Sequence, residues 1–404
     1  MSRADPQLTG LSTQARSLQS RTVALRRALH RHPELGLDLP HTRDAVVAAL
    51  ADLPLQIHLG HSSSSVVAVL DGDRPGPTVL LRGDMDALPM QEDTGLLFRS
   101  QVDGRMHACG HDTHVAMLAS ATRLLVERRS QLAGRVLLMF QPGEEGHHGA
   151  RHMIDEGLLD CTGPAGRPMA AYALHISATL PAGELHTRPG TLMAANDTIT
   201  VTVTGRGGHA SAPHDALDPV PAAAAMVGAL QTAITRRTDA HQPVVLTIAR
   251  ILAGTTNNVI PETAFMEGTL RTLSEPARAV AQEEIRRVCR YTALAYGCTA
   301  EVEITSGYPV TVNDPDAAGR VDALGTALLG RARVATMATP IMGAEDFSYV
   351  LQQVPGALAF LGGCPRGTAL AAAAPNHSNR VVFDENAMAT GVSIYAGLAL
   401  DALR

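Results

Sequence analysis

Tryptophan is missing from the 404-residue chain, and tyrosine and phenylalanine supply only six residues each. A core in a chain of this length must therefore be packed mainly from Leu, Val and Ala. Basic runs are missing too: the net charge of -6 is spread along the chain, with no Lys/Arg block to track a phosphate backbone, so no nucleic-acid partner is expected. No stretch approaches the roughly 18 apolar residues of a membrane span, and the polar residues 1–21 carry no apolar leader core, so no membrane partner is expected either. The most apolar segment, 222–230, is short and reads as a packed helix. Five cysteines, Cys109, Cys161, Cys289, Cys298 and Cys364, are too few and too scattered for a disulfide framework, which points to the reducing cytoplasm.

What is present is an ordinary globular composition, 45% hydrophobic and 18% charged. At 404 residues the chain exceeds the size at which one hydrophobic core stops growing, so two domains are expected. Helical spacing over 11–31 and 42–53 is followed by short apolar runs at 65–70 and 78–81, a helix at 113–129, and further runs at 135–140 and 170–176. This alternation predicts an α/β domain, a mixed sheet with helices on its faces, whose ligands gather at the carboxyl ends of the strands. The middle differs: strand 198–204, helix 219–237, strands 244–251 and 263–270, helix 275–296, strand 299–305. That β-α-β-β-α-β order is the ferredoxin-like α+β pattern, and it can be a domain inserted into the first. Helix 317–329, strand 357–361, a strand at 380–383 and a terminal helix from 385 then complete the first domain, which gives 1–193 plus 306–404 for one domain and 194–305 for the other.

Chemistry concentrates at the predicted strand ends. Met106-His107-Ala108-Cys109-Gly110-His111-Asp112 sets a thiol and an imidazole two residues apart in a turn before a helix, where both can reach one borderline ion; a buried Cys with a capping His is the alternative. Glu144-Glu145, flanked by Gly143 and Gly146 directly after an apolar strand, is a carboxylate pair that makes sense beside a cation, one binding and one handling protons, and otherwise reads as a solvated acidic turn. His175 ends an apolar run, and His377 lies in the polar loop Pro375-Asn376-His377-Ser378; each alone is uninformative, but four positions converging on one sheet edge are less readily chance. Asp84-Met85-Asp86 can bind metal, orient a ligand histidine or cap its strand. In the middle domain the glycines of Gly205-Arg206-Gly207-Gly208-His209 suit an anion site or a plain hairpin, while Asn258 and Arg271 offer donors for a carboxylate.

Together these pieces resemble the metal-dependent aminoacylase and carboxypeptidase family, in its branch of hippurate hydrolases and indole-acetyl-amino-acid hydrolases. The matching motifs run in order along nearly the whole chain: His32 to Leu35, Arg82 to Pro89, Cys109 to Asp112, Gln141 to Gly146, His175, Gly205 to Pro213, Asn258 to Pro261, Gly343 to Phe347 and Asn376-His377. The resemblance implies a catalytic domain holding two divalent ions per subunit, zinc or manganese with cobalt also accepted, and a lid domain that dimerises. It also implies metal ligands Cys109, His111, Glu145, His175 and His377, general base Glu144, His209 reaching the partner subunit's site to stabilise the oxyanion, Asn258 and Arg271 on the substrate carboxylate, and Asp86 behind the ligands. Where the broader family carries His-x-Asp this chain has Asp84, a change the branch shares together with its cysteine; whether Asp84 touches metal stays open.

The activity so implied is hydrolysis of a small N-acyl amino acid, hippurate-like or N-acetyl, to a carboxylic acid and an amino acid, by a homodimer or higher homo-oligomer. A dipeptidase or carboxypeptidase using the same ions is the alternative, and a binding protein without activity a remote one. A zinc deaminase is disfavoured by the missing His-x-Glu with a later Pro-Cys-x-x-Cys, and a thermolysin-like protease by the missing His-Glu-x-x-His.

Overall fold

The computed structural model describes residues 8, 10–161, 163 and 166–404. The chain divides into two compact units, one formed by residues up to 192 with 312–339 and 346–404, the other by 193–311 with 340–345. The second unit thus runs past the expected end at 305, to Thr311, and takes in 340–345. The reason is local: the Ala194 N–H donates to the carbonyl oxygens of Ile341 (3.1 Å) and Gly343 (2.9 Å), which ties that short segment to the start of the unit.

Among the described residues the first unit holds an eight-stranded mixed sheet, ordered 56–59, 66–71, 133–141, 74–84, 168–177, 356–362, 185–187, 334–336. Its four central strands, Ala133–Gln141, Arg74–Asp84, Pro168–Ser177 and Gly356–Gly362, run parallel. Their sequences read as unbroken apolar runs, Val79-Leu80-Leu81 and Val136-Leu137-Leu138-Met139-Phe140 among them, because both faces of the sheet are covered. The helix His111–Glu127 is buried almost throughout and packs with the apolar terminal helix Met388–Ala402. Their approach needs Gly391, where an added Cβ would sit 2.1 Å from the Met117 sulfur. The Tyr395 hydroxyl pins two strands at once, donating to the Arg82 carbonyl (2.6 Å) and accepting the Leu174 N–H (3.1 Å).

Two expectations for this unit are corrected. The helix over 11–31 is two helices, Leu11–Ser17 and Gln19–Arg31, joined at Leu18. No strand forms at 380–383: Val381 and Phe383 are buried there, but against Met106, Ala108 and Ile176 instead of a neighbouring backbone. Alternating apolar residues produce a strand only where a sheet edge is free to pair with them.

In the second unit an antiparallel sheet is ordered 244–253, 263–272, 195–204, 299–306. With helices Pro219–Arg237 and Glu275–Ala295 between its strands, it has the expected ferredoxin-like order. The buried face carries Ile199, Val201, Val203, Ala264, Met266 and Leu270, at the two-residue period of a half-buried sheet. Asp218 and Ser274 cap the two helices by accepting the N–H groups of Val220 and Ala277. No helix among the described residues is long and apolar enough to cross a membrane.

Candidate metal centre

Parallel strands end on one edge, and that edge gathers the chemistry of the first unit. Asp84 is in register with Gln141, so the segments leaving both strands, 85–89 and 142–148, emerge side by side. Asp86 joins them: its two carboxylate oxygens accept the backbone N–H groups of Glu144 and Glu145, each at 2.9 Å. The same residue's carbonyl oxygen lies 2.8 Å from His111 Nδ1. A carbonyl can only accept, so His111 Nδ1 carries a proton and Nε2 is the nitrogen left to face an ion.

The turn before the helix owes its shape to Gly110, at φ 87°, where a Cβ would lie 2.4 Å from the Ile176 side chain. With Gly110 there, Cys109 and His111 flank it and face inward. His175 donates from Nδ1 to the Ile176 carbonyl oxygen (2.9 Å), which leaves its Nε2 lone pair 3.4 Å from Cys109 Sγ. His377 comes from the opposite side, its Nε2 3.3 Å from Cys109 Sγ and 3.1 Å from Glu145 Oε1. Its backbone is left-handed at φ 68°, uncommon for a side chain that is not glycine, and is held by a hydrogen bond from its N–H to the Ala108 carbonyl (2.9 Å). Asn376 stitches the loop down, donating to the carbonyls of Cys109 (3.1 Å) and Ile176 (2.9 Å) and accepting the Ala178 N–H (3.0 Å).

These side chains fit a cation. His111 Nε2 is buried and has no hydrogen-bond partner among the described residues, while Asp84 Oδ2 lies 3.3 Å away and Glu144 Oε2 4.0 Å away. Ligand atoms of Cys109, His111 and His175 lie within 4.8 Å of one another, and so do those of Cys109, Glu145 and His377 and those of His111, Glu144 and Glu145. Thiol, imidazole and carboxylate groups gathered this closely are donors suited to a divalent cation.

The electrostatics carry the same signature. Burial, reinforced by the Glu145 charge, pushes the Cys109 thiol up. Burial opposes the charged form of His111, yet the Asp84 carboxylate, Cys109 and the hydrogen bond to Asp86 together outweigh it and raise the imidazole well above its ordinary range. Hydrogen bonding to Cys109 and then Glu145 lifts His377 to about 10, whereas burial beside His114 drives His175 well down. These opposed directions follow from closely packed donors perturbing one another's protonation.

The sequence pattern of peptidase family M20/M25/M40 matches residues 80–401. The chain is also 37% identical over 394 residues to thermostable carboxypeptidase 1 of Saccharolobus solfataricus, covering 96% of this chain and 97% of that one. It belongs to peptidase family M20/M25/M40. A second M20 relative, N-acetylcysteine deacetylase of Bacillus subtilis, is 35% identical over 386 residues, covering 95% of this chain and 97% of that one. Among solved structures, the YXEP protein of Bacillus subtilis, a dinuclear metal binding peptidase of the M20 family, matches at TM-score 0.82 and 32% identity, covering 96% of this chain and 99% of that chain. This M20 member is accordingly a metal-binding hydrolase with the fold of its family.

In the second unit of this M20 chain, His209 and Asn258 are neighbours. His209 pairs with Val259 in a two-residue ladder, and the Ala210 N–H donates to the Asn258 carbonyl (3.1 Å). His209 is exposed, and its Nδ1 accepts the Ser211 N–H (3.1 Å), which fixes its proton on Nε2. Arg271 lies on the strand Thr263–Thr272, opposite Asn196, and burial lowers its pKa against the pull of Asp197.

Reading the sequence missed two sets of residues. One is His114, with the Arg82 that holds Asp84, a carboxylate already marked as able to orient a ligand histidine; both are considered below. The other is a buried charge network behind the Cys109 turn: Asp112 Oδ2 accepts from Arg26 Nε (2.8 Å) and from His30 Nδ1 (2.8 Å), and His30 Nε2 lies 3.3 Å from Glu92. The spacing of His111 and His114, three apart on a helix, was the available signal for the first set. Nothing local links Arg26 and His30 to Asp112, more than eighty residues on.

Proposed function

We propose that this M20 member hydrolyses the amide bond of small N-acyl amino acids, releasing a carboxylic acid and an amino acid. The observation that carries the proposal is the overlapping cluster of Cys109, His111, Glu145, His175 and His377, with the carboxylate of Glu144 beside His111 and Glu145. Cys109, His111 and Glu145 each belong to two of the three triads, a pairwise overlap suited to two adjacent divalent ions, zinc or manganese. Ions held there lower the pKa of water and polarise the substrate carbonyl.

Glu144, buried and aligned by Asp86 through its own N–H, takes a proton from water as the water oxygen bonds to the acyl carbon. The same carboxyl then returns that proton to the amine nitrogen as the C–N bond breaks. His209, with its proton on Nε2, has the chemistry of an oxyanion donor, and Asn258 and Arg271 that of carboxylate ligands. In the proposal these three act from the second unit as a lid, within a homodimer, in a reducing compartment that keeps the Cys109 thiol intact.

The names of the relatives support two substrate types: N-acetylcysteine deacetylase points to N-acyl amino acids, and thermostable carboxypeptidase to peptides. Metal-reconstituted protein assayed against N-acetyl and N-benzoyl amino acids beside dipeptides decides between them. Turnover of N-acyl amino acids at a higher kcat/KM than dipeptides is the expected result, and the reverse order overturns it.

A further inference from the structure

We infer that Asp84 and His114 form a buried positioning pair that sets the orientation of the His175 imidazole, and through it the affinity for the ion that His175 helps to hold. The inference rests on the metal-centre reading above and assigns roles to two residues which that reading leaves without one.

Both side chains are fully buried. His114 Nε2 accepts the backbone N–H of Ile176 at 2.8 Å, and His114 Nδ1 lies 2.5 Å from Asp84 Oδ1. A backbone N–H can only donate, so Nε2 carries no hydrogen and the ring proton sits on Nδ1, donated to Asp84. Both nitrogens are then in use. Although His114 stands in ring contact with His175 (4.9 Å between centroids) and His111 (5.4 Å), it has no lone pair left for an ion.

Its role runs through Ile176 instead. The Ile176 N–H is held by His114, and the Ile176 carbonyl accepts the Nδ1 proton of His175 at 2.9 Å. Asp84 fixes the His114 ring, His114 fixes the Ile176 backbone, and that backbone aims His175 Nε2 at Cys109 Sγ, 3.4 Å away.

The anchor is itself held. Asp84 Oδ2 pairs with the buried Arg82 guanidinium at 2.7 Å, and Arg82 donates to Gln141 Oε1 (2.9 Å) and pairs with Asp346 (3.2 Å). The helix bearing His114 also lies close against the strand bearing Asp84: a Cβ on Gly83 would meet the His114 carbonyl oxygen at 3.0 Å. Groups that orient metal-bound histidines from behind typically change metal affinity by about 10-fold to 100-fold when removed.

Zinc titration of the full-length protein by calorimetry, with wild type, His114→Phe and His114→Gln, tests the inference. His114→Phe keeps the ring volume and loses both nitrogens, and its zinc Kd is expected to rise by about 10-fold to 100-fold. His114→Gln keeps an acceptor for the Ile176 N–H and is expected to recover most of that loss. A His114→Phe protein with the wild-type Kd overturns the inference. Nitrogen-15 NMR of histidine-labelled wild type provides a readout that does not depend on how the variants fold: a proton on His114 Nδ1 supports the pair, and one on Nε2 overturns it. Wild-type protein that binds no zinc overturns the metal-centre reading itself, whereas wild-type binding with an unaffected His114→Phe overturns the positioning role alone.

Discussion

The Asp86 carboxylate accepts the backbone N–H of Glu144 at 2.9 Å, so the residue proposed as general base is aligned through its main chain while its side chain stays available for chemistry. The other Asp86 oxygen holds the Glu145 N–H in the same way. Replacing Asp86 by Ala leaves both donors unpaired, at a cost of about 1–3 kcal/mol for each group that stays buried. The expected outcome is a lowered denaturation midpoint together with a lower kcat. Wild-type kcat in Asp86→Ala would show that Glu144 does not need this support.

Glu144 is expected to carry proton transfer without being needed for ion binding. Glu144→Ala should lose activity on N-acyl amino acids by about 100-fold to 10,000-fold. Its metal content, measured by atomic emission, should match wild type. A variant retaining more than about a hundredth of the normal rate excludes general-base catalysis by this residue.

Cys109 is the one thiol in the cluster, at 3.3–3.4 Å from two imidazole nitrogens. Cobalt-substituted protein should show a thiolate-to-metal charge-transfer band in the near ultraviolet, and Cys109→Ser should abolish it. Ion binding also favours the folded state, by about 2.7 kcal/mol when free ion stands at 100 times its Kd, so chelation should lower the melting temperature. A melting temperature indifferent to chelator would contradict an ion held by the folded protein.

Arg271 is expected to act in binding more than in chemistry. Arg271→Met should raise KM for N-acyl amino acids while changing kcat less, since a carboxylate clamp holds substrate and transition state alike. A fall in kcat at unchanged KM would assign Arg271 elsewhere.

The network of Arg26, His30, Glu92 and Asp112 predicts a stability profile bounded on both sides. Burial opposes the charge on His30, but Asp112 outweighs it and raises the pKa, so this contribution is full below about 6.5 and is lost as pH rises through the raised value. Burial likewise opposes the Glu92 charge, but hydrogen bonds led by His30 lower it to about 2, so its contribution is present above about 4.3 and disappears as pH falls through 2. Denaturant midpoints of wild type and His30→Phe should therefore differ most near pH 5–6, narrow as Glu92 takes up its proton towards pH 2 while Asp112 stays ionised, and converge at high pH. An unchanging difference across that range would mean that the network contributes packing alone.

Much of this molecule was legible from sequence because its signals are local. Apolar runs bounded by Gly and Pro marked the buried parallel strands, and the β-α-β-β-α-β order of the second unit followed from periodicity over some hundred residues. Glu144, Glu145 and His175 drew attention because each sits at the end of such a run, Cys109 and His111 because they share a turn before a helix, and the fold brings these ends to one edge. At 380–383 the pattern predicts a strand and a buried loop is found, since the apolar pattern does not say whether a sheet edge is open to it.

Only the tertiary structure decided which nitrogen of each histidine is available. His111, His114 and His175 look equivalent in sequence. Backbone carbonyls of Asp86 and Ile176 take the Nδ1 protons of His111 and His175 and leave Nε2 for an ion, whereas the Ile176 N–H occupies Nε2 of His114 and removes it from the set. Residue type determined what could bind a metal; the direction of neighbouring backbone dipoles, set by how a helix and three strands pack, determined which of those residues present a lone pair to it.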